Sequence, residues 1–401
     1  MLKGKFVVVG ITGGIAAYKT ADLISKIKKM EGQVQVIMTD AAQKFITPLT
    51  LQTLSQNPVI TGLFEKPRTW EVEHISLAEK ADVFVIAPAT ANIIGKVANG
   101  IADDFLSTTI MATKAPVIFV PAMNTNMYEN PMTQNNINTL KKMGYSIIEP
   151  ETGFLACGYT GRGRMPETST ILDEIYYVLE KKDFKGKKIL ITAGPTRESI
   201  DPVRFISNHS SGKMGYCLAK AARLRGGEVT LISGPTHLEP PRRVKLINVI
   251  TACEMLQRVL ENFEEADIII KAAAVSDYRP KNYSNHKIKK KADDLQIPLE
   301  RNPDILYEIG KRKGHRVLVG FAAETQNLIE NATKKLKEKN LDFIVANDLT
   351  KEGAGFAVDT NIVKIIDADG NIEEMPKMKK ELLANIILDK VIDKIINKKN
   401  Y

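Results

Sequence analysis

Lys5 to Val9 (KFVVV) is a short β-branched run that passes straight into the small-residue turn and helical stretch of GITGGIAAYK. An unbroken apolar run of this length fits a strand buried on both faces, feeding a turn and then a helix. The same succession starts again at Lys187 to Thr192 (KKILIT), which runs into AGPT. MEGQVQVIMTD at Met30 to Asp40 has its counterpart in RGGEVTLISGPT at Arg225 to Thr236, each reading as helix end, glycine turn and second strand. ADVFVIAPAT at Ala81 to Thr90 is matched by ADIIIKAAAV at Ala266 to Val275, each roughly 75 to 80 residues after its first strand. This is one architecture used twice rather than a short tandem repeat.

Strands alternating with helical stretches imply βαβ units, and right-handed crossovers make each sheet parallel and doubly wound. The expected fold is α/β, two tandem Rossmann-like domains, each a mostly parallel doubly wound sheet. The charged stretch KKDFKGKK supplies a linker, which places the boundary near Asp183, with domains over 1–183 and 184–401. Ligands in such sheets sit outside the carboxyl ends of the strands, so chemistry is sought in the loops after Val9, Met38, Ile86, Val120, Thr192, Ile232 and Ile270. A last helix from Lys379 to about Asn397 is expected to present its lysines to solvent.

Composition narrows the class. A chain of 401 residues with 44% hydrophobic and 26% charged positions has enough apolar material for two cores and is neither disordered nor fibrous. No apolar run approaches the ~20 residues of a membrane span, and the glycines at 10 and 13 interrupt any secretory apolar region, so a cytoplasmic protein without a membrane partner is expected. Cys157, Cys217 and Cys253 are too few for a disulfide scaffold and too scattered for a CxxC zinc site, so free thiols are expected. The net charge of +9 is compatible with nucleic acid, an anionic small substrate or solubility alone.

GITGGIAAYK brings small residues to where a backbone approaches a ligand and then opens a helix, whose first turn attracts phosphate through free amides and the macrodipole. A Gly-rich turn without a ligand has the same look, because the spacing is not GxGxxG. The end of the second strand carries Met38 and Thr39, with Asp40 just beyond, where a dinucleotide site wants an acid for the ribose; a mononucleotide such as FMN is favoured over NAD. His74 in VEHISLA, Asn92 in APATANIIGK, Asn124 in PAMNTNMYENP and Cys157 in GFLACGYTGRGR occupy the remaining loops. The strip from Gly153 to Gly163 reads as a flexible flap carrying one thiol and two arginines.

GITGGIAAYK, HISLA, APATAN, PAMN with its second Met, and LACG, in this order, resemble the flavin-dependent cysteine decarboxylases of coenzyme A biosynthesis. The resemblance covers the N-terminal half and implies a flavodoxin-like fold with FMN held by Gly13, Gly14, Ile15, Ala16, Thr39, Pro88, Ala89, Thr90 and Asn92. It implies oxidation of the thiol of 4'-phosphopantothenoylcysteine, loss of carbon dioxide to an enethiol, and reduction to 4'-phosphopantetheine. His74 is then the base, Asn124 holds the substrate carboxylate, and Cys157 donates the proton for enethiol reduction. Where the family carries Trp after the second Met, this chain has Tyr128, a change expected to bear on packing. Related flavoproteins acting on a peptide C-terminal cysteine or in flavin prenylation are the alternative for this half.

ITAGPTRESIDPVRFISNHSSGKMG, from Ile191 to Gly215, is a turn-rich polar loop leading into a helix. Ser207, Asn208, Ser210 and Ser211 supply hydroxyls and amides, Gly212 and Gly215 allow close approach, and Lys213 supplies charge. An N-capped helix after a polar loop is the plainer alternative. KAAAVSDYRP presents Asp277 at a strand end, and KIKKK (Lys287 to Lys291), NPDI (Asn302 to Ile305), GFAAET (Gly320 to Thr325), Lys335 and Lys339 follow.

Together these motifs resemble bacterial phosphopantothenate-cysteine ligases across the C-terminal half. The resemblance implies that CTP activates 4'-phosphopantothenate as an acyl cytidylate, which the cysteine amine attacks. Ala273, Asp277, Lys287 and Asn302 would contact CTP, as would Pro303, Asp304 and Ile305 and, further on, Phe321, Lys335 and Lys339. Asn208 would orient the carboxylate, Lys287 would act in catalysis, and magnesium, with ligands unspecified, would bridge the triphosphate. The basic balance then needs no nucleic acid, and the lysines lack the interleaved aromatics of a stacking platform. The resemblance further implies a homo-oligomer of trimeric decarboxylase and dimeric ligase domains.

Overall fold

The structure is a computed structural model that describes residues 2–63, 72–156, 158–289, 295–324, 326–348, 355 and 358–399. The chain divides into two compact units, Met1–Glu180 and Lys181–Tyr401.

In the first unit the main strands are β1 (Phe6–Ile11), β2 (Gln33–Met38), β3 (Val83–Ala89), β4 (Val117–Pro121) and β5 (Ser146–Ile147). They pair in parallel in the order β2-β1-β3-β4-β5, the flavodoxin-like arrangement expected from the sequence. The helices are α1 (Ala17–Lys29), α2 (Pro48–Ser55), α3 (Glu73–Lys80), α4 (Ala91–Ala98), α5 (Phe105–Ala112), α6 (Thr125–Glu129), α7 (Pro131–Lys142) and α8 (Thr168–Leu179), and a hairpin of β6 (Glu151–Phe154) and β7 (Thr160–Arg164) follows β5. The strands are apolar throughout because both faces are covered. Val7, Val9 and Val85 meet Leu23, Ile24 and Ile27 of α1 and Ile171 and Ile175 of α8 on one face. Val8, Phe84 and Phe119 meet Ile93 of α4, Leu106 and Ile110 of α5 and Ile137 of α7 on the other. Gly10 belongs to the strand, since a Cβ there would stand 2.5 Å from Leu106 Cδ1 of the covering helix.

The second unit carries β8 (Lys188–Ala193), β9 (Arg197–Ser199), β10 (Phe205–Ser207), β11 (Glu228–Ser233), β12 (Lys245–Asn248), β13 (Ile268–Lys271), β14 (Tyr278–Pro280), β15 (Leu299–Arg301), β16 (Val317–Glu324), β17 (Phe343–Asp348), β18 (Thr360–Asn361), β19 (Val363–Asp367) and β20 (Ile372–Glu374). Its eight-stranded sheet has the order β12-β11-β8-β13-β16-β17-β19-β20, parallel as far as β17 and antiparallel over the last two strands. Helices α9 (Lys213–Leu224) and α13 (Lys380–Lys399) cover one face with Leu218, Ala222, Leu383, Ile387 and Leu388. Helices α10 (Ala252–Phe263), α11 (Ile305–Lys311) and α12 (Leu328–Glu338) cover the other with Met255, Phe263, Ile309 and Leu336. The expectation of a solvated lysine face on α13 needs one correction: Lys380 is buried at the start of the helix, where its ammonium satisfies the carbonyls of Gly355 (2.9 Å) and Val358 (2.6 Å).

In each sheet the chain runs outward in both directions from a central pair of strands, β1 and β3 in the first and β8 and β13 in the second. Such a switch point opens a crevice at the carboxyl ends of the strands. Among the described residues, no helix is long and apolar enough to cross a membrane.

Candidate functional site

At the first switch point lies a cavity of about 700 Å³, bordered by Thr12 and Gly13 after β1, Thr39 and Asp40 after β2, and Thr90 and Asn92 at the start of α4. The Thr12 hydroxyl donates to the Pro88 carbonyl (2.7 Å) and accepts from the Thr90 amide (3.1 Å), which clamps the loops after β1 and β3 together. No side chain caps the first turn of α1 or α4, so both helix starts leave amides for a ligand. A Cβ on Gly14 would make ordinary contact with Pro88 and Thr90, both at 3.8 Å, so this turn packs against the end of β3 and the start of α4. A cavity of this volume with two uncapped helix starts suits a phosphorylated mononucleotide. Ala16 is the N-cap of α1, Pro88 and Ala89 end β3, and Ile15 is exposed.

The opposite wall is formed by residues that sequence reasoning missed. Lys96 of α4 pairs with Asp103 (2.7 Å) and Asp104 (3.0 Å), and Asp104 forms a capping box with Ser107 at the start of α5. Burial pulls the Asp104 carboxyl upward, but the Ser107 amide and the Lys96 ammonium outweigh it and hold the group below the usual carboxylate range. Nothing local in the sequence signals this cluster, because it forms only when α4 and α5 pack together.

His74 does not border the cavity itself. It lies in the first turn of α3 with its ring edge-on to Phe105, 6.3 Å between centroids, and Phe105 forms part of the cavity wall. Asn124 caps α6 at the end of β4, its Oδ1 accepting from the Asn126 amide at 2.9 Å. The β6–β7 hairpin is pressed onto this loop. The Met123 amide donates to the Gly163 carbonyl (3.0 Å), and a Cβ on Gly163 would stand 2.1 Å from the Met123 carbonyl oxygen, so only glycine permits the approach. Cys157, in the turn that joins these strands, lies outside the described residues. On either side of it the Leu155 amide donates to Tyr159 (2.8 Å) and the Gly158 amide to Leu155 (3.0 Å).

Tyr128 is 3% exposed; its hydroxyl donates to Glu149, and Arg162 of β7 lies 5.3 Å from the ring centroid. Burial above all, and then the Glu149 carboxylate, raise the phenol to about 12. The aromatic at this position therefore ties α6 to the hairpin, a packing role. Gly163→Ala should lift the hairpin off the Met123 loop at a cost of about 1 to 3 kcal/mol of local packing. Hydrogen exchange at the Met123 amide, which donates to the Gly163 carbonyl, should quicken correspondingly, while exchange in the second unit keeps the wild-type rate.

Two neighbouring cavities, with Lys271 and Val275 in the walls of both, mark the second switch point. The first, about 330 Å³, is bordered by Asn208, Ser210, Ser211 and Lys213 before and at the start of α9, by Ala273 after β13, and by Phe321 and Lys335. The second, about 310 Å³, is bordered by Asp277, Asn302, Pro303, Asp304, Ile305 and Lys339. The Asn208 side-chain amide donates to the Ala274 carbonyl (2.8 Å), which binds the serine loop to the end of β13. Helix α9 starts at Gly212 without a side-chain cap, and a Cβ on Gly215 would lie 2.5 Å from Ala193 Cβ, so the glycine lets the helix start sit against β8.

Asn302 donates its side-chain amide to Ser276 and its backbone amide to Asp277, both at 2.8 Å. Asp304 caps α11 and pairs with Lys339 at 2.7 Å, and Lys335 pairs with Glu324 at 2.6 Å. The two lysines, four apart in sequence, therefore serve different cavities.

Lys287 is exposed and borders neither cavity. Its neighbour Ile288 is held through its amide by Asp201 (3.1 Å) and through its carbonyl by Arg204 (2.9 Å), so the lysine projects from a fixed point. Lys290, Lys291 and Thr325 lie outside the described residues. Sequence reasoning missed Lys271, Asn347, Asn361 and Lys380, all on the walls of the first cavity. The lysine closing the run IIIK was the one local signal.

Residues 1–180 match the family model described as Flavoprotein, and residues 184–395 match the one described as DNA/pantothenate metabolism flavoprotein C-terminal domain. The chain is 48% identical over 395 residues to the coenzyme A biosynthesis bifunctional protein CoaBC of Bacillus subtilis (strain 168), covering 98% of this chain and 97% of that protein. It is 45% identical over 396 residues to the protein of the same name from Escherichia coli (strain K12), again covering 98% and 97%. Among solved structures, the crystal structure of the C-terminal domain of a coenzyme A biosynthesis bifunctional protein CoaBC is 45% identical, with a TM-score of 0.47, over 54% of this chain and 100% of that one.

Proposed function

The chain belongs to the family of bifunctional coenzyme A biosynthesis proteins, enzymes with a ligase and a decarboxylase activity, and from that membership we propose how its two units divide the work. Residues 1–183 decarboxylate 4'-phosphopantothenoylcysteine, and residues 184–401 make that compound from 4'-phosphopantothenate, cysteine and CTP. The observation that carries the reading is the presence, within each unit, of a cavity at its own switch point, bordered by a helix start that no side chain caps.

In the ligase unit the substrate carboxylate attacks the α-phosphorus of CTP and pyrophosphate leaves; the cysteine amine then attacks the acyl carbon and CMP departs with the former carboxylate oxygen. Asn208 orients the carboxylate. Lys335, Lys339 and Lys287 stabilise charge on the phosphates and on the acyl oxygen as the bonds change. Magnesium would bridge the triphosphate oxygens and offset their charge, held by the phosphates together with one or two protein groups.

In the decarboxylase unit the loops after β1, β2 and β3 and the two uncapped helix starts would hold FMN, which would supply the oxidation of the thiol and the return of hydride. His74 takes the proton released as the thiol is oxidised, Asn124 holds the carboxylate that leaves as carbon dioxide, and Cys157 protonates the enethiol carbon during reduction. A peptide cysteine or a prenyl donor as substrate is not favoured, since the relatives matched over the whole chain are bifunctional coenzyme A proteins.

The protein assembles as a homo-oligomer of trimeric decarboxylase and dimeric ligase domains, which sedimentation of the full chain would test. A cytoplasmic location accords with the free thiols of Cys217 and Cys253. The test is isotopic. With the carboxylate of 4'-phosphopantothenate labelled with ¹⁸O, one label per turnover should appear in CMP, and unlabelled CMP with label retained only in the amide or in water would rule out the acyl cytidylate.

A further inference from the structure

Most lysines at the ligase cavities are committed to partners. Lys213 pairs with Asp359 at 2.6 Å, Lys335 with Glu324 at 2.6 Å and Lys339 with Asp304 at 2.7 Å, while Lys380 is spent on backbone carbonyls. Lys271 differs. It closes β13, the half-buried end of an otherwise apolar strand whose backbone pairs on both sides, and its ammonium makes no ion pair or hydrogen bond among the described residues. It also borders both cavities, a position shared only with Val275 among the described residues. A half-buried ammonium with no carboxylate within ion-pair distance is costly, and here it sits beside the switch point between β8 and β13, where this fold class binds its ligand.

We propose that Lys271 is a nucleotide-binding residue whose ammonium, in the walls of both cavities, pairs with the phosphate chain of CTP. The proposal rests on the ligase reading above. Phosphates arriving at Lys335 and Lys339 meet charge already shared with carboxylates, whereas Lys271 offers an unshared one. The charged groups facing it are Lys335 and Lys339 from α12, Asp304 from the cap of α11 and Asp277 from the loop after β13. Burial, followed by the repulsion of Lys339, pushes the Lys271 ammonium down to about 8 against the pull of Asp304 and Asp277.

An anion in contact favours the protonated form, so CTP draws a proton onto this group wherever the free amine is partly neutral. At pH 7 the free group is already charged and uptake is small. At pH 9 it is mostly neutral, and uptake approaches about one proton per nucleotide, while a phosphate's own second ionisation, near 6, is complete.

Isothermal titration of the full chain with magnesium CTP, in two buffers of different ionisation enthalpy at pH 7 and pH 9, reads affinity and proton uptake together. Equilibrium dialysis with cytidine reads the uncharged part of the cleft. The wild type should take up a proton at pH 9 and little at pH 7. Lys271→Gln should bind CTP about tenfold or more weakly, the scale of one lost charge-assisted contact, lose the uptake, and keep its affinity for cytidine. Unchanged CTP affinity and uptake in the variant would overturn the proposal. So would equal losses for CTP and cytidine, which mark a structural role, or a wild type that binds CTP without uptake at pH 9. A wild type that binds no CTP at all would instead bring down the ligase reading, and the proposal with it.

Discussion

Replacing His74 with Asn should lower decarboxylation by about 10²- to 10⁴-fold, the range of a lost general base, with ligation and bound FMN unchanged. The His74 ring makes no hydrogen bond among the described residues, so removing its basic nitrogen dismantles no network. Asn keeps approximate size and polarity, and the contact given up is the edge-on packing against Phe105, worth about 0.5 to 1.5 kcal/mol. Phe105 both packs on His74 and borders the cavity, so the role requires the cysteine end of the substrate to come to the His74 side of that wall. Release of carbon dioxide and of pyrophosphate, measured in the same preparation, gives the answer. Parallel loss of both would indicate a folding defect and remove the assignment.

Lys287→Gln should slow ligation by about 10²-fold or more, with flavin colour and folding intact. Attack of the amine on the acyl cytidylate builds negative charge on the acyl oxygen and the departing phosphate, and an ammonium stabilises that charge more than the ground state. Gln keeps the length and a donor but not the charge. The anchoring of the Ile288 backbone by Asp201 and Arg204 is independent of the Lys287 side chain, so the substitution removes the charge without loosening that anchor. If amide formation is the step impaired, acyl cytidylate should accumulate to levels visible by mass spectrometry. Lys289, equally exposed, is the comparison. At saturating CTP, equal rates for Lys287→Gln and Lys289→Gln would return the run to an ordinary solvated face.

The parallel sheets were legible because burial on both faces forces unbroken apolar runs, as in Val7 to Val9 and Ile268 to Ile270, and such runs survive any local noise. Their ends were less so. β1 extends past Val9 to Ile11 because Gly10, which reads as a breaker, is the small residue that admits Leu106 of α5. The antiparallel strands β19 and β20 were not foreseen, since β20 is a short, exposed polar segment whose partner is set by tertiary pairing.

The site shows the same division. Loops carrying long motifs, such as Asn208 to Lys213 and Asn302 to Ile305, announce themselves by composition. Lys380 does not, and Lys271 does so only by closing the run IIIK, because a lysine ending a strand or opening a helix has the look of a surface residue until the loops around it close. The Lys96, Asp103 and Asp104 cluster is invisible for a related reason: its members belong to separate turns that meet only through packing.

The most direct measurement is incubation of the purified protein with 4'-phosphopantothenate, cysteine, CTP and magnesium, followed by mass spectrometry. The account predicts 4'-phosphopantetheine, with CMP, pyrophosphate and carbon dioxide formed in equal amounts and 4'-phosphopantothenoylcysteine appearing first. Accumulation of 4'-phosphopantothenoylcysteine with no 4'-phosphopantetheine from a fully flavinated protein, or CTP consumption without any amide product, would contradict it.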